Sequence, residues 1–255
     1  MRVFITGASS GIGTALARHY AAQGARLGLA GRNRERLEAL VASLSADCTA
    51  YVLDVRDAEA LRQAAADFIG KYGAPDIVIA NAGVSRGTLT EHAEDASAFR
   101  AILDINLLGM VHTFQPFIAA MKAQGHGSLA GIASVAGLRG LPGAGAYSAS
   151  KAAAISYLES LRVELTGAGI RVTTICPGYI KTPMTDVNPY PMPFLMDADI
   201  AADKIAHAIL QRRRYVILPW QMALLGRLMK LIPAPLWDWA MRKAPHKPRL
   251  DWDWL

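Results

Sequence analysis

Short apolar runs alternate with longer amphipathic stretches along most of this chain. Val3-Phe4-Ile5-Thr6 is continuously apolar and is closed by glycine, the pattern of a strand buried on both faces. Apolar positions then recur with helical spacing over residues 12–23, and a second run follows at 25–30. The alternation predicts a helix over 33–45, a strand over 48–53, a helix over 57–72 and a strand over 76–80. A long helix over 96–123 is expected to bury Leu103, Leu107, Met110, Phe114, Phe117 and Met121 on one face. Strands at 128–133 and 171–176, a helix at 145–167, a helix at 197–211 and a strand at 215–218 complete the series. Residues 183–196, rich in Pro and Met, read as an irregular apolar loop. Seven strands alternating with helices predict an α/β fold: a Rossmann-type, doubly wound parallel sheet with right-handed crossovers and helices on both faces. The expected single domain spans 1–218, followed by a helical apolar extension over 219–255.

Composition narrows the class. With 255 residues, 52% apolar and 19% charged, the chain is globular and long enough for one large core. Cys48 and Cys176 are distant and fit no zinc spacing, so free thiols in a reducing compartment are expected. The six histidines form no ligand pattern, and no metal site is expected. Residues 3–13 already supply a strand and a glycine turn, so no cleavable leader is expected and the cytoplasm is the expected location. Charge is uneven. Residues 211–255 hold nine basic and three acidic side chains, which is the whole net charge of +6, together with Trp220, Trp237, Trp239, Trp252 and Trp254.

Gly7, Gly11 and Gly13 stand between the first strand and the first helix. Missing side chains there let backbone approach a pyrophosphate, and the helix N-terminus offers free N–H groups to an anion. Downstream, Tyr147 and Lys151 lie one helical turn apart on one face, beyond Ser134 at a strand end. A free tyrosine has a pKa near ~10, so bringing it to about 7 takes roughly 4 kcal/mol of phenolate stabilisation. The Lys151 ammonium is the expected source. Tyr147 would then exchange a hydroxyl proton while a bound nicotinamide exchanges hydride with a carbonyl carbon. Ser134 would hold the substrate oxygen.

These elements together resemble the short-chain dehydrogenase/reductase family over about residues 1–218. Thr6-Gly-Ala-Ser-Ser-Gly-Ile-Gly13 resembles its cofactor turn, with Ser9, Ser10 and Ile12 among the contacts implied. Asn81-Ala82-Gly83 resembles its N-A-G element, and Pro177-Gly178-Tyr-Ile180-Lys-Thr182 its P-G-x-x-x-T element at the nicotinamide end. Asn106, Ser134, Tyr147 and Lys151 resemble its catalytic tetrad, Asn106 holding a water that links Lys151 to solvent. Asp54-Val55 resembles the pair that lines the adenine. Relatives that prefer NAD carry an acidic residue at the end of the second strand, where this chain has Gly31 followed by Arg32. A guanidinium suits a 2′-phosphate, so NADP is expected in preference to NAD.

The expected activity is therefore NADP-dependent interconversion of a ketone or aldehyde and an alcohol. The apolar loop, through Met184 and Phe194, points to a hydrophobic substrate. One alternative is a sugar-nucleotide epimerase or dehydratase, which shares Tyr-x-x-x-Lys but uses T-G-x-x-G-x-x-G and a longer C-terminal region. Another is a cofactor-sensing protein without turnover. By family resemblance the helices over 96–123 and 145–167 pair in a homodimer or homotetramer. The Trp-rich extension either packs on the substrate side or another subunit, or lies on an anionic membrane surface with Arg227 and Lys230 opposite its Leu/Met face. Nucleic acid is not an expected partner.

Overall fold

The computed structural model describes residues 1–249, so Trp252 and Trp254 lie outside the described residues. Strands β1 (Arg2–Thr6), β2 (Arg26–Gly31), β3 (Cys48–Val52), β4 (Ile77–Ala80), β5 (Gly127–Ile132), β6 (Ile170–Pro177) and β9 (Tyr215–Leu218) form one sheet. It runs β3-β2-β1-β4-β5-β6-β9, and every pairing is parallel. The order reverses between β1 and β4, which opens a crevice beyond the carboxyl ends of those strands.

Strand alternation explains how one short run serves two cores. In β1, Val3 and Ile5 join the layer formed with α1 (Gly11–Ala22), α2 (Arg34–Ser43) and α8 (Ala198–Leu210). Phe4 points the other way, towards α3 (Ala58–Tyr72), α5 (Gly109–Gln124) and α6 (Gly145–Glu164). There it meets Phe68 edge-on at 5.6 Å and Phe117 at 4.8 Å between ring centres. Full burial of such a ring contributes about 1.5–3 kcal/mol.

Two elements differ from the sequence expectation. The long helix is α4 (Asp95–Leu103), a π-type turn (Asp104–Leu108), and then α5. Its buried apolar positions are Ala98, Ala101 and Ile102 before the turn and Ile105 within it, so the expected Leu103 and Leu107 are only half-buried. Past the turn, Met110, Phe114, Phe117 and Met121 are buried as expected. The loop at 183–196 is bracketed by a two-stranded parallel sheet, β7 (Ile180–Lys181) against β8 (Met196–Asp197). It also holds a short helix α7 (Pro183–Asp186), because Thr182 and Thr185 cap each other reciprocally and Pro183 is preset for a first helical position.

The extension forms α9 (Trp220–Leu231) and α10 (Ala234–Met241). Met222 and Gly226 of α9 face inward against Gly178 and Leu138. Arg139 secures both helices. Its guanidinium donates to the carbonyls of Met229 and Ile232 at the end of α9, and stacks 4.5 Å from the Trp237 ring of α10. Residues 244–249 then return across the carboxyl side of the sheet. Arg249 pairs with Asp95 at 2.8 Å, and the backbone of Gly87 donates to Pro248.

Candidate active site

At the crevice, the chain leaves β1 through Gly7 at φ +67° and enters α1 at Gly11, φ +53°, both left-handed. A side chain on Gly13 would begin 2.1 Å from the Gly7 carbonyl oxygen, so helix and turn can approach this closely only with glycine. Asn81 at the end of β4 donates from Nδ2 to the carbonyls of Thr6 and Gly7, both at 3.1 Å, and ties the two sides of the crevice together. Gly13 lies behind this turn, whereas Gly7, Ser9, Ser10, Gly11 and Ile12 line a cavity of about 410 Å³.

One end of that cavity is cationic. Gly31, Arg32, Asn33 and Arg36 border it opposite Ser9. Arg36 was not foreseen. Asn33 caps α2 by accepting from the Arg36 backbone N–H at 2.8 Å, and the first helical turn swings Arg36 back to the crevice. A side chain on Gly31 would begin 3.1 Å from the Ser9 hydroxyl, leaving little room for a carboxylate. Asp54 and Val55 also line the cavity. Burial pushes the Asp54 carboxyl up, but hydrogen bonds from Arg56 and the charges of Arg56 and Arg32 prevail and hold it below its usual range. Burial pulls the Arg32 guanidinium down, against the attraction of Asp54 at 3.9 Å. A glycine cradle, a helix N-terminus and a cationic end fit a dinucleotide phosphate backbone.

The other end holds Asn81, Ala82, Gly83, Ser134, Tyr147, Lys151, Pro177, Gly178, Ile180, Thr182 and Met184. Ser134 is buried just past β5, where it accepts from the Ala136 N–H at 3.1 Å and donates to the Pro177 carbonyl at 3.5 Å. Tyr147 stands in the first turn of α6, with Lys151 one turn later. Lys151 Nζ donates to the Ile132 carbonyl at 2.8 Å and lies 5.8 Å from the Tyr147 ring centre.

The expected acidification of Tyr147 is not what the polypeptide alone produces. Burial raises the phenol pKa, and a hydrogen bond with Ser134 only partly opposes it. Burial also lowers Lys151 to about 8. The reason is desolvation: both groups sit at the floor of a crevice where either charge is costly, and Lys151 spends a proton on a backbone carbonyl.

Asn106 does not line the cavity. Fully buried in the π-type turn, it accepts from the Val84 N–H at 2.8 Å and donates to the Val84 carbonyl at 2.9 Å and to Ser150 at 3.0 Å. It thus pins the segment after β4 to α6, and α6 carries Tyr147 and Lys151. A side chain on Gly83 would begin 3.2 Å from Asn106 Oδ1 and 3.4 Å from Lys151 Nζ, so the bare glycine keeps a gap between them. Of the four expected substrate residues, Ser134, Tyr147 and Met184 border the cavity but Phe194 does not. It is half exposed, at φ +58° on the outer loop.

The described part of the C-terminal segment packs on the substrate side, one of the two placements the sequence suggested, though through His246 and Lys247 and not through its tryptophans. The His246 ring sits against Gly143, in the segment before Tyr147. Lys247 is buried and donates to the Met184 carbonyl at 2.9 Å, and burial lowers its pKa to about 8. These contacts bridge segments that follow β4, β5 and β7, which frame the substrate side.

A bound nicotinamide dinucleotide would supply hydride to the carbonyl carbon or take it from the alcohol. Beside it, Ser134 would orient the substrate oxygen and Tyr147 would move its proton, with the buried Lys151 one turn away. Comparison with known proteins agrees with this geometry. An uncharacterized oxidoreductase of Myxococcus xanthus is 39% identical over 242 residues, covering 94% of this chain and 95% of the relative. The 3-oxoacyl-(acyl-carrier-protein) reductase of Thermotoga maritima is 35% identical over 188 residues, or 72% and 76% of the two chains. The solved alcohol dehydrogenase of Thermococcus sibiricus, complexed with 5-hydroxy-NADP, superposes with a TM-score of 0.75 at 27% identity, covering 85% of this chain and 95% of that one. Residues 1–190 match the family model described as short chain dehydrogenase, and this chain accordingly belongs to that family of oxidoreductases acting on CH–OH groups.

Proposed function

We propose that this chain is an NADP-dependent reductase that converts an apolar ketone or aldehyde to the alcohol. The observation that carries the cofactor assignment is the adenosine end of the cavity. Gly31 stands where an acidic side chain would repel a 2′-phosphate, and Arg32 and Arg36 border the same space. Burial that disfavours the Arg32 charge is relieved by a dianion beside it. The complex of the Thermococcus sibiricus enzyme with an NADP derivative supports the same choice.

Reduction is favoured by Tyr147. A phenol whose pKa lies above the usual value stays protonated at neutral pH and is equipped to donate. Met184, Pro183 and Ile180 give the substrate side apolar walls. Pairing through α4, α5 and α6, as in the family, makes a homo-oligomer the proposed assembly.

Fluorescence titration with NADPH and NADH tests the cofactor. The expected result is tighter NADPH binding by tenfold or more, lost in Arg32→Ala combined with Arg36→Ala; equal affinities in the native chain overturn it. Tyr147→Phe separates enzyme from sensor. Turnover of medium-chain ketones should fall by about 10²–10⁴-fold while NADPH affinity holds. A native chain that binds NADPH yet reduces no ketone of any length supports the sensor instead.

A further inference from the structure

One face of the C-terminal helices carries large apolar side chains that the fold does not use. Trp220, Leu224, Leu228 and Leu231 of α9 are 71%, 64%, 56% and 79% exposed. Their spacing of four, four and three residues puts them on a single stripe. Leu236 and Trp239 of α10, exposed by 53% and 73%, continue the apolar surface beyond Pro233. The inward face of α9, through Met222 and Gly226, is already occupied by Gly178 and Leu138. The stripe is therefore a second face, not a misplaced first one. Single exposed leucines are ordinary, but six large apolar groups on two consecutive helices are not.

Charge surrounds this surface. Arg227, Lys230, Arg242 and Lys243 are exposed on the same two helices and their exit, and Asp238 is the one acidic residue between 219 and 249. Arg227 follows Leu224 by three positions and precedes Leu231 by four, so it borders the stripe. Arg227 thus neighbours the exposed stripe while lying opposite the Leu225 and Met229 side of the helix.

We propose that α9 and α10 form a docking surface for an anionic lipid bilayer. The leucines and the two exposed tryptophans enter the boundary between headgroups and acyl chains, and the four cations meet lipid phosphates. The helices lie on the membrane and do not cross it. The twelve residues of α9 reach only about 18 Å, short of the hydrocarbon thickness of about 30 Å. Among the described residues the helix over Asp95–Gln124 alone is long and apolar enough to span, and half of its most apolar window is buried in the core.

Electrostatics selects lipid over a second copy of the chain. A twofold contact through this face would gather eight cations around one apolar seam, with only the two copies of Asp238 among the described residues of α9 and α10 to offset them. An anionic bilayer turns that cost into attraction.

Flotation of the full chain with phosphatidylcholine vesicles, with and without phosphatidylglycerol, tests the proposal. Truncation is unsuitable because Arg139, His246 and Lys247 join the extension to the site. The double variants Leu224→Glu/Leu228→Glu and Arg227→Glu/Lys230→Glu alter exposed positions only, and an unchanged NADPH titration shows that they fold. The native chain should float with phosphatidylglycerol vesicles and tenfold less with neutral ones, and each double variant should reduce flotation by tenfold or more. Absence of flotation, or flotation indifferent to both variants, overturns the proposal. Sedimentation showing a dimer that Leu224→Glu/Leu228→Glu dissolves, without vesicle binding, assigns the face to a second copy and also overturns it.

Discussion

Tyr147 and Lys151 sit in an environment that opposes both of their charged forms. Burial raises the phenol and lowers the ammonium to about 8, so near neutral pH Tyr147 keeps its proton and Lys151 holds its own only narrowly. Lys151 is charged below that value and neutral above it. Ketone reduction that draws its proton through this pair should therefore be level below pH 8 and fall as pH rises beyond it. Lys151→Arg should remove that alkaline limb, since a guanidinium remains charged; a rate–pH profile at saturating cofactor checks both. The residue types and their spacing were legible in the sequence, and so was their order behind the glycine turn. The direction of the tyrosine shift was not, because the one-turn spacing of a helical pair does not reveal how dry its surroundings are. Arg36 was hidden for a similar reason: only the Asn33 cap turns it towards Gly31.

At the scale of elements, the helix over Asp95–Gln124 shows what periodicity conveys and where it slips. Apolar positions Ala98, Ala101, Ile102 and Ile105 keep helical spacing, and Met110, Phe114, Phe117 and Met121 keep it again. The step from Ile105 to Met110 is one residue too long, the mark of the π-type turn at Asp104–Leu108. Reading one continuous stripe placed Leu103 and Leu107 on the core face, and the slip was present in the sequence to be seen. Asn106 occupies that turn and is fully committed to Val84 and Ser150. Asn106→Ala should cost about 1–3 kcal/mol by leaving the Val84 backbone groups unpaired. Urea unfolding measures that loss, and a rate decrease larger than the stability change would show that the Val84–Ser150 link also positions α6. The strand series and sheet class followed directly from the β-α alternation. The small β7–β8 sheet did not, because two-residue strands leave no periodic trace.

For the molecule as a whole, the body and the extension are less separate than the change in composition at residue 219 implied. Apolar and basic content distinguished the extension, yet one face of α9 packs on the body. Arg139, five residues beyond Ser134, holds the end of α9 and the Trp237 ring, and no feature of either segment's own pattern announces a partner about ninety positions away. Arg139→Met should release both helices: faster amide exchange over 220–249 and a lower Tm are expected, with NADPH affinity unchanged. Gly143, Met184 and Gly87 all touch the segment His246–Pro248, so this segment braces the loops beside the cavity. Met1, by contrast, leads into β1 at the amino end of the parallel strands, away from the crevice at their carboxyl ends. The first described residues and the last are thus unequal in what they touch. Lys247→Ala, which frees the Met184 carbonyl, should raise the KM for ketone several-fold, whereas a tag ahead of Met1 should leave it unaltered.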